Sequence, residues 1–217
     1  TAFKADKSLP TIYMIGDSTM ANKVLDGGNP ERGWGQMLPG CLSEEIRVDN
    51  HAVNGRSTKS FIDEGRWDTV LALLQPGDYL FIQFGHNDEK ADPKRHTDAN
   101  GGSFDANLRR FVTEARSKGA IPVLFNSIVR RNFGSADAQA VAEAVMQDDI
   151  RRGVNPDAKR EAQAEAEPEK GDKLIDTHGA YLDSPRNVAQ ELNVPFVDMN
   201  KLTHDLVEGM GPEASKQ

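Results

Sequence analysis

The chain has 217 residues, of which 34 are acidic and 26 are basic, so its net charge at pH 7 is −8. This length suits one domain with one hydrophobic core, and the acidic balance argues against a basic face that captures nucleic acid. The single cysteine, Cys41, excludes an intrachain disulfide, and no apolar run reaches the roughly 18 residues that a membrane span needs.

Five apolar runs rich in β-forming residues mark the predicted strands, at residues 12–15, 48–53, 79–84, 122–129 and 195–199. Apolar residues at helical spacing lie between these runs, around residues 34–42, 61–74, 108–115 and 188–192. Strands that alternate with helices predict right-handed crossovers. The expected fold is therefore an α/β three-layer sandwich around a five-stranded, mostly parallel sheet. Cys41 lies in one of the helical segments, which predicts a buried, inert thiol.

One segment, residues 135–173, departs from this alternation. It is rich in Ala, Glu, Asp, Gln and Arg and has few large apolar residues. Residues 136–150 and 158–167 have high helix propensity. We expect a helical surface insertion within a single domain that spans residues 1–217. A partly disordered loop is the alternative interpretation.

Three of the predicted strands end in a short polar motif that contains glycine. These motifs are Gly-Asp-Ser at 16–18, Asn-Gly-Arg-Ser at 54–57 and Gly-His-Asn-Asp at 85–88. Each motif alone is ordinary turn chemistry. Ligands of parallel α/β sheets bind beyond the carboxyl ends of the strands, so three such motifs at one edge indicate a common site.

These motifs contain the groups that acyl transfer requires, namely a nucleophile and donors aimed at the oxyanion of the tetrahedral intermediate. Ser18 supplies a hydroxyl, and its backbone N–H could face the oxyanion if the residue opens a helix. Gly55 lacks a side chain, so its N–H can approach a substrate closely. Asn87 offers a side-chain NH₂ donor. Asp17 and Asp88 fit supporting roles, as acceptors of backbone N–H bonds that hold the turns.

The motifs and their flanks resemble the SGNH, or GDSL-type, hydrolases. Similarity to the rhamnogalacturonan acetylesterase branch extends over "TIYMIGDSTM", "GWGQMLP", "AVNGRSTKSFIDEGRW", "GDYLFIQFGHND" and "VPFVDMNKLT". This resemblance covers most of the chain outside residues 135–173. It implies a flavodoxin-like fold and a secreted or periplasmic serine esterase. Its substrate would be an acetylated pectic polysaccharide, and it would need no metal or organic cofactor, no nucleic acid and no membrane.

The resemblance also implies roles for individual residues. Ser18 would be the nucleophile, and the backbone N–H groups of Ser18 and Gly55 would form the oxyanion hole with the Asn87 side chain. His86, inside the third motif, is expected to be structural or to contact substrate. Trp34 could stack on a sugar or belong to the core. Arg56 could bind a galacturonate carboxylate or be an ordinary surface arginine.

One part of the family pattern has no counterpart in these residues. A serine hydroxyl needs a base, which the family carries in an Asp-x-x-His motif after the last strand. None of the five histidines has an aspartate three residues before it. We therefore expect the base to lie on a C-terminal piece outside this chain, and weak or no hydrolysis by the 217 residues alone. His204 and His178 are the alternative bases.

Two other functions fit the same sequence. One is another esterase of this fold that acts on longer acyl chains or on acetylated xylan. The other is a carbohydrate-binding protein without turnover, because no base is evident. A substrate panel separates the first from an acetylesterase of pectin, and binding without turnover would favour the second.

Overall fold

The computed structural model describes residues 9–134 and 173–216. The strands within those ranges are β1 (Thr11–Gly16), β2 (Arg47–Asn50), β3 (Tyr79–Gln83), β4 (Ile121–Phe125), β5 (Phe133–Gly134), β6 (Lys173–Leu174) and β7 (Phe196–Val197). Five of them form a sheet in the order β2-β1-β3-β4-β7, and all neighbouring pairs are parallel. This order reverses direction between β1 and β3, which is the switch point where flavodoxin-like folds bind ligands.

The α-helices of the described ranges are α1 (Trp34–Met37), α2 (Thr58–Asp63), α3 (Arg66–Leu73), α4 (Ser103–Ser117), α5 (Asp183–Leu192) and α6 (Met199–Ala214). The sequence predicted one helical segment at 61–74, and the structure divides this region into α2 and α3. The division falls at Gly65, whose φ of 68° is left-handed. Helix α6 loses helical geometry at Gly211, immediately before Pro212.

The two faces of the sheet bury different side chains. On one face, Ile15 and Ile82 pack with residues of α2 to α5, including Trp67 and Phe111, whose ring centroids are 4.9 Å apart. On the other face, Met14 packs with residues that follow β1 and with α1. Each large side chain buried in this way contributes about 1.5–3 kcal/mol. The layered architecture confirms the predicted three-layer sandwich with a five-stranded parallel sheet.

The carboxyl ends of the central strands lie side by side. Gly16 of β1 is opposite Gln83 of β3, which in turn is opposite Phe125 of β4. The chain beyond β2 continues alongside β1, because the N–H of Val53 donates to the carbonyl of Gly16 at 3.0 Å. The three polar motifs therefore leave the sheet at one edge, as the sequence predicted.

Two expectations need correction. Cys41 is exposed, because it ends a short 3₁₀ turn at Leu38–Cys41 that leaves the side chain outside the core. Lys173, which we expected in the insertion, belongs to β6 and lies opposite Gly134 in an antiparallel pair. The rest of the predicted insertion, 135–172, lies outside the described residues, and its helical character stays a prediction.

Candidate active site

Ser18 lies in the turn that follows β1. The N–H groups of Met20 and Ala21 both donate to the carbonyl of Asp17, at 3.2 and 3.0 Å. This is a single helical turn rather than the start of a longer helix. Ser18 is half-buried, and no group in residues 9–134 or 173–216 hydrogen-bonds to its hydroxyl. The hydroxyl is therefore available for a ligand.

Asp17 supports this turn from inside the protein. Its carboxylate is buried and accepts hydrogen bonds from the backbone N–H and the hydroxyl of Thr19, at 2.9 and 2.8 Å. Burial raises the pKa of Asp17, although the bonds from Thr19 oppose that rise. The neighbouring Gln83 side chain donates to the Thr19 hydroxyl at 3.1 Å. This arrangement fits a supporting role for Asp17, which stays a prediction.

Trp34 is fixed by the same network. Its indole N–H donates to the Gln83 side-chain oxygen at 2.6 Å, and its ring lies 5.4 Å from that of Phe125. The side chain is only half-buried, so one part remains accessible. Trp34 thus belongs to the core packing, and a role in stacking on a sugar stays a prediction.

The second motif lies beside the first. Gly55 has a left-handed φ of 75°, and a side chain there would meet no atom within 4 Å. The backbone conformation, rather than crowding, thus favours glycine, and the space in front of it is open. Asn54 accepts a hydrogen bond from the Lys23 ammonium at 2.9 Å. The Arg56 guanidinium donates to Glu64 at 3.1 Å and to the carbonyl of Asn54 at 2.9 Å.

The third motif packs against the second through Asn87. The side-chain NH₂ of Asn87 donates to the carbonyl of Arg56 at 3.2 Å, and its side-chain oxygen accepts from Arg95 at 3.4 Å. Asn87 is only 3% exposed. The turn begins at Gly85, where a Cβ would lie 2.4 Å from the hydroxyl oxygen of Ser127. Only glycine fits there, so the turn stays close to the chain that leaves β4.

Asp88 joins the third motif to the start of α2. Its buried carboxylate accepts hydrogen bonds from the N–H and hydroxyl of Thr58, at 3.0 and 2.5 Å, and from the hydroxyl of Thr97 at 2.8 Å. Burial raises the pKa of Asp88 to about 7, against the effect of these bonds, and the charge of Asp17 adds to the rise. The Asp88 carboxylate therefore links the third motif to Thr58, the residue that directly follows the second motif.

A buried group of charges, which the sequence did not predict, lies beside the third motif. Glu89 faces the imidazole of His178 at 2.9 Å and also pairs with Arg130. Burial alone would raise the pKa of Glu89, but the hydrogen bond and charge of His178, together with Arg130, hold it below its usual value. The ring of His86 meets that of His178 edge-on, with centroids 4.4 Å apart. The only sequence signal was an acid directly after the Gly-His-Asn-Asp motif.

Within the described residues none of the histidines hydrogen-bonds to Ser18, so the choice of His178 or His204 as an alternative base stays a prediction. His178 is 1% exposed, and its two ring nitrogens face Glu89 and the carbonyl of Ile128. Burial lowers the pKa of His86 well below its usual value, and the charges of His178 and Arg130 add to this, so the ring is neutral. The location of the base outside this chain stays a prediction.

Two features are absent from residues 9–134 and 173–216. No group of three or more His, Cys, Asp or Glu side chains is arranged to hold a metal ion. No helix in these ranges has both the length and the apolar character to cross a membrane.

The parallel sheet and the three motifs at its carboxyl edge define the class of the protein as an SGNH hydrolase, a carboxylic ester hydrolase. The chain belongs to the GDSL-like lipase/acylhydrolase family, which matches residues 14–213.

Two curated relatives have similar sequences. The chain is 34% identical over 206 residues to the rhamnogalacturonan acetylesterase RhgT of Bacillus subtilis (strain 168), a match that covers 95% of this chain and 72% of RhgT. It is 39% identical over 123 residues to the probable rhamnogalacturonan acetylesterase YesY of the same organism, covering 56% of this chain and 55% of YesY. The chain thus spans only part of the length of each relative.

Solved structures have a similar fold. The crystal structure of YxiM from Bacillus subtilis aligns with a TM-score of 0.68 at 24% identity, over 95% of this chain and 48% of YxiM. A catalytic mutant of Axe2, an acetylxylan esterase from Geobacillus stearothermophilus, aligns with a TM-score of 0.55 at 17% identity, over 91% of this chain and 79% of Axe2. At these identities the likeness establishes the fold.

Proposed function

We propose that this protein is a serine esterase that removes acetyl groups from pectic rhamnogalacturonan through an acyl-enzyme on Ser18. The observation that carries the proposal is the contact between the three motifs at one sheet edge. The chain after β2 bonds to Gly16, and the Asn87 side chain bonds to the carbonyl of Arg56. These contacts support a common site in which the Ser18 hydroxyl acts together with two groups suited to bind an oxyanion.

Relatives support the choice of substrate. RhgT is a rhamnogalacturonan acetylesterase, and its match covers nearly all of this chain. Acetyl is a small acyl group, and its removal requires no long apolar channel. The polysaccharide backbone carries carboxylates, for which an arginine is a suitable partner. Arg56, whose side chain is 33% exposed next to Gly55, is the residue that we assign to such a carboxylate.

In the proposed reaction the oxygen of Ser18 attacks the carbonyl carbon of the acetyl ester, and a base takes the hydroxyl proton. The carbonyl oxygen becomes an oxyanion, which accepts hydrogen bonds from the N–H groups of Ser18 and Gly55 and from the NH₂ of Asn87. Groups fixed before the reaction starts stabilise this charge without reorganising. Each such donor typically lowers the barrier by about 2.7–4 kcal/mol.

Collapse of the intermediate breaks the bond to the sugar oxygen, which takes the proton from the base and departs as a hydroxyl, and leaves acetyl-Ser18. Water then attacks the acyl-enzyme through the same oxyanion site, releasing acetate and restoring the serine. We assign the base of both steps to the histidine of the family's Asp-x-x-His motif. His86, which is neutral and sits in the third motif, contacts the substrate in this proposal.

The test is acetate release by the full-length protein from acetylated rhamnogalacturonan, acetylated xylan and p-nitrophenyl esters of increasing chain length. We expect acetylated rhamnogalacturonan to be the best polymer and acetyl the best acyl group. Ser18→Ala should lower kcat at least about 10⁴-fold, because loss of the nucleophile removes the covalent route.

Ser117→Ala is the matched control, since Ser117 is exposed and its hydroxyl donates to the carbonyl of Glu114 in its own helix. That variant should keep full activity. Unchanged turnover in Ser18→Ala would rule out the mechanism. A preference for acetylated xylan or for long acyl chains would contradict the assignment of acetylated rhamnogalacturonan as substrate. Binding without turnover would favour the carbohydrate-binding alternative.

A further inference from the structure

We propose that Arg95 is a positioning residue that orients the side-chain amide of Asn87 and strengthens it as an oxyanion donor. This inference rests on the role of Asn87 in the proposed function. It starts from the contact in which the Arg95 guanidinium donates to the side-chain oxygen of Asn87 at 3.4 Å. The family resemblance assigned no role to Arg95.

The neighbours of Asn87 fix which way its amide points. A guanidinium can only donate hydrogen bonds, and a backbone carbonyl can only accept them. Arg95 is on the oxygen side of the amide, and the carbonyl of Arg56 is on the nitrogen side, at 3.2 Å. A flipped amide would face donor to donor and acceptor to acceptor, so both contacts favour one orientation.

This orientation leaves a donor for the reaction. The NH₂ group of Asn87 carries two hydrogens, and the carbonyl of Arg56 takes one of them. The second hydrogen remains for the oxyanion in this proposal. Without Arg95, water could replace the guanidinium at the amide oxygen, and the side chain would keep only one fixed contact.

The cation also acts electrostatically. A positive charge at the amide oxygen draws electron density away from the nitrogen and makes its hydrogens stronger donors, as in polarised hydrogen-bond chains. Asn87 is 3% exposed, so the local dielectric is low and the effect is larger than in water. Arg95 thus adds a favourable charge on the side of the site where negative charge develops.

The loop that carries Arg95 is built to hold it in place. Asp92 accepts from the Arg95 guanidinium at 2.8 Å, and the carbonyl of Asp92 accepts from the backbone N–H groups of Arg95 and His96, at 2.8 and 2.7 Å. The next residue, Thr97, donates its N–H to the carbonyl of Asp88 at 3.1 Å. The loop therefore leaves the third motif and returns to it, which brings Arg95 back to Asn87.

The first experiment reads the amide itself and needs no catalysis. In ¹H–¹⁵N spectra of the protein, the side-chain NH₂ pair of Asn87 is assigned by its loss in Asn87→Asp and in Asn87→Ala. We expect Arg95→Ala to shift this pair and to speed its exchange with water. Lys94→Ala, which alters the adjacent exposed residue, should leave the pair unchanged. An Asn87 signal that is the same in Arg95→Ala as in the unaltered protein overturns the proposal.

The second experiment is kinetic, with acetyl ester as substrate. Arg95→Ala should lower kcat about 10-fold with KM within twofold, because the contact acts on the transition state. Added guanidinium ion should raise the kcat of Arg95→Ala part of the way to that of the unaltered protein. It should not raise the kcat of Lys94→Ala. Arg95→Lys keeps the charge and loses the planar fork, so its kcat should lie between those of Arg95→Ala and the unaltered protein. A loss confined to KM, or none at all in folded Arg95→Ala, contradicts the proposal.

A double-mutant cycle separates this inference from the function on which it rests. If Arg95 acts through Asn87, adding Arg95→Ala to Asn87→Ala should cost no further activity. A penalty of equal size in both backgrounds contradicts the inference. If Asn87→Ala leaves turnover unchanged while Arg95→Ala still moves the amide signal, the positioning holds and the oxyanion role of Asn87 fails.

Discussion

The turn after β1 and the turn after β3 carry complementary parts of the site, yet they are held in different ways. The first, residues 16–21, is held by hydrogen bonds, from Thr19 within the turn and from Gln83 and Asn50 outside it. The second, residues 85–89, is held by an ion pair as well, because Glu89 pairs with Arg130 and hydrogen-bonds to His178.

This difference matches the tasks of the two turns in the proposed reaction. A nucleophilic hydroxyl must move towards the carbonyl carbon, so a turn with few contacts on Ser18 is sufficient. Oxyanion donors act best when they are fixed before the reaction, and Asn87 is flanked by two buried acids, Asp88 and Glu89. The structure thus adds an ion pair on the donor side of the site.

The largest expected effect comes from removing the buried carboxylate of Glu89 from the turn after β3, residues 85–89, which we call the donor turn. Glu89→Ala leaves Arg130 without its carboxylate partner, and breaking a buried pair by removing one partner typically costs about 3–5 kcal/mol. We expect a loss of this size in the free energy of unfolding, measured by urea denaturation.

An exposed ion pair gives the matched control. Glu191→Ala removes a carboxylate that contacts Arg109 at 2.7 Å but is 48% exposed, and such pairs are worth at most about 1 kcal/mol. If Glu89→Ala were no more destabilising than Glu191→Ala, the donor turn would not depend on its buried charges, and the contrast between the turns would fail.

The second prediction concerns the pH dependence of stability through Asp88. Its pKa in the folded protein is about 7, against about 3.9 in an unfolded chain. Between these two pH values Asp88 binds more proton in the folded protein than in the unfolded chain. The contribution of Asp88 to the free energy of unfolding therefore falls as pH rises from about 4 to about 7, by at most about 1.4 kcal/mol per pH unit. Asp17, whose pKa burial also raises, contributes in the same direction.

Asp88→Asn should remove the part of this slope that belongs to Asp88. Asparagine keeps the side-chain oxygen that accepts from Thr58 and Thr97, so the variant is close in shape. The measurement is thermal unfolding at a series of pH values from 4 to 8, with Asp68→Asn, on the exposed side of α3, as control. The same slope in Asp88→Asn as in the unaltered protein would show that Asp88 does not titrate in this range.

The smallest loss in the free energy of unfolding is expected in the turn after β1, residues 16–21, which carries Ser18. Thr19→Val keeps the shape of the side chain but removes the hydroxyl that donates to Asp17 and accepts from Gln83. The loss should be about 1–3 kcal/mol, the usual cost of leaving a buried partner unsatisfied, at the lower end because Thr19 is half-buried. Denaturant unfolding measures it, and a loss as large as that of Glu89→Ala would erase the difference between the turns.

The sequence predicted the sheet and the edge at which the motifs meet, because buried parallel strands are continuous apolar runs that end at polar turns. Strands β5 and β6 were missed, since two residues each give no periodic signal. Glu89 and His178 are far apart in the chain, and nothing in local composition indicates that they touch. The contact of Arg95 with Asn87 was missed for a related reason, as it depends on how the loop folds back.

The central claim, that Ser18 carries the acyl group, is tested most directly by trapping the intermediate. The full-length protein is mixed with p-nitrophenyl acetate, quenched with acid within the first turnover, and digested for mass spectrometry. We predict one added acetyl group on the peptide that contains Ser18, and none in Ser18→Ala. Ester hydrolysis at an undiminished rate with no acetyl on Ser18, or with the acetyl group on another residue, would contradict the account.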